Sequence, residues 1–452
     1  MSRLPLLALA LASTGVSLAA QDSSALSEEV IPLRTDLVPE RTAPPFELGN
    51  AFLSSGKLDD PIHLFTGATW QPSFTVFGQW RTGIGKVEVG GEETTELATR
   101  LDLFGNLQLS GTERILIGLR PLDDEGRFTR YVFEPSDGPL GDGFEDELNA
   151  NVETFFFEGD FGELFPGLDP GDEGELDIGF SVGRQQITLQ DGLLVNDRID
   201  VLGLTRNSVL ADGGSNVRWT ALFAWDELHR GDNIEDEDAF LVGLTGEGDF
   251  PTSSLSFDLL FLNGSNDSDA LFCGIGAVQR LGHWNTTFRA LTSQPLEEET
   301  AATGRGGLLF AELSRNRVHS DDLWYANTFV GIDQFSSALR GPETGGPLGR
   351  TGVLFAAVGV GSFPAALGNG AQSSVGGALG YQSFLGDPEH RRQLILEVGG
   401  RAEKEAPDAL GLGLRYQHAV GRRWIVRLDA FATGRETTGP EHGLRTELLL
   451  KL

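Results

Sequence analysis

The chain has 452 residues, among them 60 Gly and 29 Phe but one Met and one Cys, and its 34 Lys and Arg against 66 Asp and Glu give a formal charge of −32. Such an excess of carboxylates excludes a nucleic-acid binder, which needs a cationic surface for the phosphates. The lone Cys273 excludes an internal disulfide framework, so stability has to come from a large core or from closed strand pairing.

Arg3, the apolar run Leu4 to Leu11 and the small residues Ser17-Leu18-Ala19-Ala20 form the pattern of a secretory signal peptide over residues 1–20, cleaved after Ala19 or Ala20. The run is too short for a membrane helix, which takes about 20 apolar residues. Residues 21–70 form a lead with Pro32, Pro39, Pro44 and Pro45, expected to be extended and to lie in the periplasm or inside a lumen. From 71 to 452 one strand-rich domain is expected. Its most apolar stretch, Val353 to Leu367, is broken by Gly359, Gly361 and Pro364, which leaves a soluble β fold or a membrane barrel.

Gly, Asp, Asn and Pro clusters punctuate this domain roughly every ten to twenty residues, a rhythm of many short strands. The segments between them alternate with period two. Arg100 to Leu109 opposes Leu101, Leu103, Leu107 and Leu109 to Arg100, Asp102, Asn106 and Gln108. Glu175 to Gln185 sets Leu176, Ile178, Phe180 and Val182 against Asp177, Gly179, Ser181 and Gly183, and Val217 to Trp225 repeats the division. Leu410, Leu412, Leu414 and Tyr416 oppose Gly411, Gly413, Arg415 and Gln417; Trp424, Val426, Leu428 and Ala430 oppose Ile425, Arg427 and Asp429. The last segment places Leu444, Leu448, Leu450 and Leu452 opposite Arg445, Glu447 and Lys451, so the sequence ends in a strand that suits closure of a sheet and an assembly signal, although Leu452 stands where a terminal aromatic is usual.

A soluble sandwich alternates in the same way. The polar face decides, being rich in Gly, Ser, Thr and Arg as a water-filled lumen requires, and about twenty candidate strands between Ser73 and Leu452 suit one closed sheet. The fold expected is an all-β transmembrane antiparallel barrel of about 18 strands, with 16–20 as the range. Trp80, Trp219, Trp225, Trp284, Trp324, Tyr381, Tyr416 and Trp424 fall near strand ends, as interfacial aromatics do, or as core packing would also place them.

The candidate pore-lining residues are Arg100, Asp102, Arg114, Arg184, Asp197, Arg198, Arg289, Glu397, Arg401, Arg415, Arg427, Asp429, Arg445 and Glu447. Guanidiniums on a luminal face draw anions, or else pair with neighbouring carboxylates and stiffen the wall. Acidic residues concentrate instead in loop-like segments, Asp160 to Glu175, Glu227 to Asp238 and Asn263 to Asp269. Simple solvation is their ordinary role; Ca²⁺ or Mg²⁺ bridging to lipopolysaccharide is the alternative. Gly179-Phe180-Ser181-Val182-Gly183 matches the hydrolase elbow, but no helix signal follows it. The seven histidines show no HExxH spacing, and there is no P-loop, so neither a catalytic residue nor a metal site or cofactor is expected.

Phe155 to Gly162, Gly183-Arg184-Gln185-Gln186 and Asp191 to Asp200 together resemble the alginate-export family of outer-membrane porins. The resemblance covers about fifty residues and implies a monomeric barrel of about eighteen strands with an Arg-rich lumen that passes anionic sugars. It also implies that Arg184 is a luminal wall residue and that Asp197 and Arg198 open the next strand near a constriction. The expected function is passive passage of small hydrophilic solutes through the outer membrane, among its lipids and lipopolysaccharide and after insertion by the barrel-assembly machinery. A non-conducting adhesive or structural barrel, and a lipid hydrolase built on Ser181, are the competing functions.

Overall fold

A computed structural model describes residues 42–452 apart from 51–58, 135–142, 169–173, 175, 210–212, 266–267, 357–358, 387–388, 405 and 437–438. The expected signal segment, with Pro32 and Pro39 of the lead, lies outside the described residues. Eighteen strands among them make the wall. They are β1 (Ser73–Val89), β2 (Glu92–Gln108), β3 (Arg114–Leu119), β4 (Val152–Asp160), β5 (Ile178–Leu189), β6 (Val195–Val209), β7 (Asn216–Asp226), β8 (Phe240–Phe250) and β9 (Ser253–Asn263). The circuit continues with β10 (Ala270–Leu281), β11 (Trp284–Pro295), β12 (Gly306–Asn316), β13 (Leu323–Asp333), β14 (Ser374–Ser383), β15 (Arg392–Glu403), β16 (Ala409–Val420), β17 (Trp424–Arg435) and β18 (Glu441–Lys451).

Each strand pairs antiparallel with the next, and β18 returns to β1 from His442↔Glu88 to Lys451↔Gln79. Closure leaves no edge, the condition for a sheet in a medium that cannot hydrogen-bond to the backbone. From the lead, Phe46–Gly49 pairs with Ser73–Val76 at the start of β1.

The alternation in the sequence assigns the faces correctly where it was legible. Leu410, Leu412, Leu444 and Leu448 are exposed, while Asp429, Arg445 and Glu447 of the opposite parity are buried. Ile84, Val182, Val242, Ile275, Leu309, Val330 and Leu396 continue the exposed apolar band around the wall. Trp219, Trp284, Trp324 and Trp424 are exposed near one end of their strands, Trp80 is exposed midway along the longer β1 and level with Trp424 across Leu450, and Trp324 packs at a tilt on Tyr381 with 4.5 Å between ring centroids. Indole rings with an apolar body and one N–H donor fit that boundary between hydrocarbon and water.

The two ends of the barrel differ. The end with the tryptophans carries mostly tight connections, such as 251–252, 282–283 and 421–423, and holds Ser73 and Lys451. The other carries the two longest, 120–151 and 334–373, together with 227–239, while the longest at the tryptophan end is 161–177. Two of the connections at that second end fold inward. The tip between β5 and β6 reaches across to Asp258 of β9 and Arg289 of β11 through Gln190 and Asp191. Residues 334–373 lay a short strand, Leu339–Arg340, parallel to Val195-Asn196 at the head of β6.

These intrusions give the lumen an apolar side that the expectation of a polar luminal face missed. Leu193 and Leu194 of the tip, with Phe335, Leu339, Leu354, Phe355 and Leu367 of the long connection, form one core with the inward Ile199, Val201, Leu222, Leu241, Leu260, Phe272, Leu308 and Phe329. Strands such as Leu259-Leu260-Phe261-Leu262 are therefore apolar on both faces, as strands covered on both sides are.

Candidate functional site

On the remaining arc, β15–β18 and β1, the inward positions carry charge. Arg415, Asp429 and Arg445 are direct cross-strand neighbours on β16, β17 and β18, and Asp429 takes both guanidiniums at 2.6 Å. One step toward the tryptophan end, Arg427 faces Glu447, which is bound at 2.8 Å by Arg81 of β1. Arg427 also donates to Gln417 at 3.2 Å. Side-chain exposures of 14% for Arg81, 19% for Arg415 and 23% for Arg427 leave water at these three guanidiniums, whereas Asp429 and Glu447 are 2% and 1% exposed.

Other expected pore-lining residues hold the inward connection in place. Glu397 accepts from Tyr325 Oη at 2.5 Å and from the backbone N–H groups of Val353 and Leu354 at 3.1 and 2.8 Å. Arg401 donates to the carbonyl of Gly370 at 2.9 Å, pairs with Glu403 at 2.6 Å and lies over the Phe329 ring. Gly359 passes so close to the Arg445 guanidinium that a Cβ there would lie 1.7 Å from a nitrogen, and its φ of +83° also selects glycine. Arg289 ties down the tip through Asp191, and Arg114 pairs with Glu158, away from the inward connections.

A second charged group adjoins the first along the sheet, where Arg100 of β2 is the cross-strand neighbour of Arg81. Arg100 and Arg120 share Asp102 at 3.0 and 3.1 Å, and both approach Asp123 at 3.4 and 3.5 Å. Arg120 also binds Glu343 of the long connection at 2.8 Å. Arg198 pairs with Glu153 and comes within 3.7 Å of the same Glu343. Burial opposes ionisation of Glu343, but the guanidiniums of Arg120, Arg198 and Arg100 outweigh it and hold the carboxyl down at about 2. At Asp123 burial wins over Arg100 and Arg120 and raises the carboxyl to about 6.

Arg184 is not luminal. It pairs across the sheet with Phe155 and Asp200, on the parity of the exposed Val182 and Phe155, so the register gives it the outward face. The misplacement has a simple cause: positions 178, 180, 182 and 184 share a face, and charge alone had moved the last of them across. Arg198 and Asp200 share that outward parity, and Asp197 has the inward one.

Where β5 and β6 bend in, a pocket of about 580 Å³ opens at the long-connection rim. The outward face of the bent hairpin, Asp124, Glu125 and Asn151 of the 120–151 connection, Glu227 and His229, and residues 341–344 line it. Arg184 bonds Asp200 at 3.1 Å and Glu227 at 2.7 Å. Asp197, 1% exposed, accepts from the backbone N–H of His229 at 2.9 Å and lies 3.1 Å from its Nδ1. Burial lowers the His229 pKa, but the Asp197 hydrogen bond and charge prevail and raise it.

Arg81 was within reach of the sequence, since it alternates with the outward Trp80. Arg120, Asp123, Glu343 and His229 lie in connections with no period and gave no local signal. Ser181 sits mid-strand in β5 with its hydroxyl on Gln185 at 2.9 Å, so the strand, turn and helix of a hydrolase elbow do not form around it. Among the described residues no three His, Cys, Asp or Glu side chains converge as metal ligands.

No family model matches the sequence, and no curated protein matches it at a significant level. Solved structures match the fold. The outer membrane protein opdK from Pseudomonas aeruginosa aligns with a TM-score of 0.53 at 11% identity, covering 84% of this chain and 98% of that one. OccK2 (OpdF) and OccK10 (OpdN) of the same organism align at 0.53 and 0.52, each 12% identical, over 83% of this chain and 98% and 99% of theirs. At such identities the likeness is one of fold: the eighteen-strand closed antiparallel barrel.

Proposed function

We propose that the chain is a porin of the outer membrane, passing small hydrophilic solutes by diffusion, with the long connections outside the cell and the tryptophan end in the periplasm. The partly exposed guanidiniums of Arg81, Arg415 and Arg427 carry this reading. With Arg445, which Gly359 and Phe363 of the long connection cover, they set four positive charges against the two negative ones of Asp429 and Glu447 on this arc. A surplus of fixed positive charge beside a water-filled constriction lowers the energy of an anion there and raises that of a cation. Acidic saccharides are the solute class we put first, supported by this row and by the resemblance of Phe155 to Asp200 to alginate-export porins. The chemistry is binding and diffusion, with no covalent step assigned to any residue.

Single-channel recording of the refolded barrel in a planar bilayer tests the proposal. Discrete conductance steps with a reversal potential on the anion side are expected under a salt gradient. Silence from barrel shown by circular dichroism and heat-modifiability to be folded would sink the channel and favour a structural role for a barrel that its own connections fill. Cation preference would keep the channel and remove the Arg row from control of it.

A further inference from the structure

The rim pocket is a mismatch of donors and acceptors. Seven carboxylates line it, from Asp124, Glu125, Glu153, Asp197, Asp200, Glu227 and Glu343, against two guanidiniums and one imidazole. Both guanidiniums are engaged already, Arg184 with Asp200 and Glu227, and Arg198 with Glu153. His229 adds an unpartnered polar group. Its Nδ1 faces Asp197, which fixes the proton on that nitrogen, and Nε2 is left buried with no hydrogen-bond partner, on a residue 5% exposed that lines the pocket. A buried polar nitrogen without a partner is unfavourable, and a ligand hydroxyl that pairs with it recovers the loss. Two aromatic rings flank the mouth, Trp225 and Phe155, both exposed on the outward face. Ring faces attract cations and the C–H faces of sugars.

We infer that this pocket binds a hydroxylated organic cation of sugar size, an amino sugar in its ammonium form, through the carboxylates of Glu227, Asp200 and Glu153, the Nε2 of His229 and the face of Trp225. The cavity lies within the range of small-molecule sites. Its preference is opposite in sign to that of the Arg row deeper in the lumen, so a solute carrying both an ammonium and an acidic group meets a favourable partner at each level. Binding at the rim does not require the lumen to conduct, so this inference and the channel proposal fail separately.

Isothermal titration of the detergent-solubilised barrel with glucosamine, glucose and glucuronate decides it. Glucosamine is expected to bind about tenfold or more tightly than glucose, and glucuronate more weakly than either, from the charge excess. Glu227→Gln, at a partly exposed side chain that leaves the wall intact, is expected to weaken glucosamine about fivefold and leave glucose unchanged. Trp225→Ala is expected to weaken both sugars together. Equal affinity for glucosamine and glucose, tighter binding of glucuronate, no heat with any of the three, or full glucosamine affinity in the Glu227→Gln barrel would each overturn the inference.

Discussion

The luminal faces of β6–β13 and of β15–β18 are built from strands of similar length in one continuous sheet, yet they do opposite things. On the first arc the inward side chains are mostly apolar, among them Ile199, Val201, Leu222, Leu260, Phe272 and Phe329, with Asp258 and Arg289 binding the tip, and the tip and the long connection seal against them. On the second they are Arg415, Arg427, Asp429, Arg445 and Glu447. Guanidiniums are not readily covered by apolar chain, because removing an ion from water without a partner costs several kcal/mol. Intruding chain packs most heavily where the wall is greasy; on the charged arc it reaches Arg445 and Glu397 through Gly359, Phe363, Val353 and Leu354 and leaves Arg81, Arg415 and Arg427 partly exposed.

The division is broken most completely by removing the filling. Excision of 346–370, bridged by a short Gly-Ser linker, is expected to raise single-channel conductance several-fold and to weaken anion selectivity, because a wider lumen dilutes the field of the Arg row. An unchanged conductance would mean that the connection does not bound the passage. A smaller effect, confined to the apolar arc, is expected of Phe335→Ala. Its side chain is fully buried in the shared core, so truncation should destabilise by about 3–5 kcal/mol, read as a lowered urea midpoint by tryptophan fluorescence in lipid vesicles.

How much of this was visible in the sequence depends on the period. The closed sheet, the outward faces of β16–β18 and the row of Arg415, Arg427, Asp429, Arg445 and Glu447 follow from alternation, because a strand fixes which side each residue takes. Leu241, Leu260 and Phe272 were illegible as luminal filling, since a strand covered on both faces loses the alternation that marks its inside. Glu343 and His229 were illegible for another reason. Both lie in connections whose course is set by partners far off in the chain, such as Arg120 and Asp197. Arg184 shows the opposite fault, a polar residue assigned by its charge against its parity.

Glu343 joins the filling to the wall at one point, and its loss sharpens the contrast between packing and charge. Glu343→Gln keeps the shape and removes the charge facing Arg120 and Arg198, and is expected to cost about 1–3 kcal/mol. Acid should do the same in the native barrel. The folded carboxyl sits at about 2 against 4.5 in the unfolded chain, so its contribution is complete above 4.5 and is lost as pH falls through the window down to 2. A wild-type urea midpoint that drops between pH 4.5 and 2 more steeply than that of Glu343→Gln is the expected result, and parallel curves would remove Glu343 from the fastening.

The smallest effect on stability and the cleanest test of the charged arc is Arg427→Gln. This guanidinium is 23% exposed, holds Gln417 at 3.2 Å and stands 3.9 Å from Glu447, which keeps Arg81 as its nearer partner. Loosely held and partly hydrated, it should contribute under about 1 kcal/mol to folding. Its charge acts on every ion that passes, so the reversal potential should move toward the cation side and the shift should shrink as salt is raised, while the urea midpoint stays put. A midpoint that moves with an unchanged reversal potential would reverse the division, making the Arg row a fastening and leaving selectivity to the acidic rim.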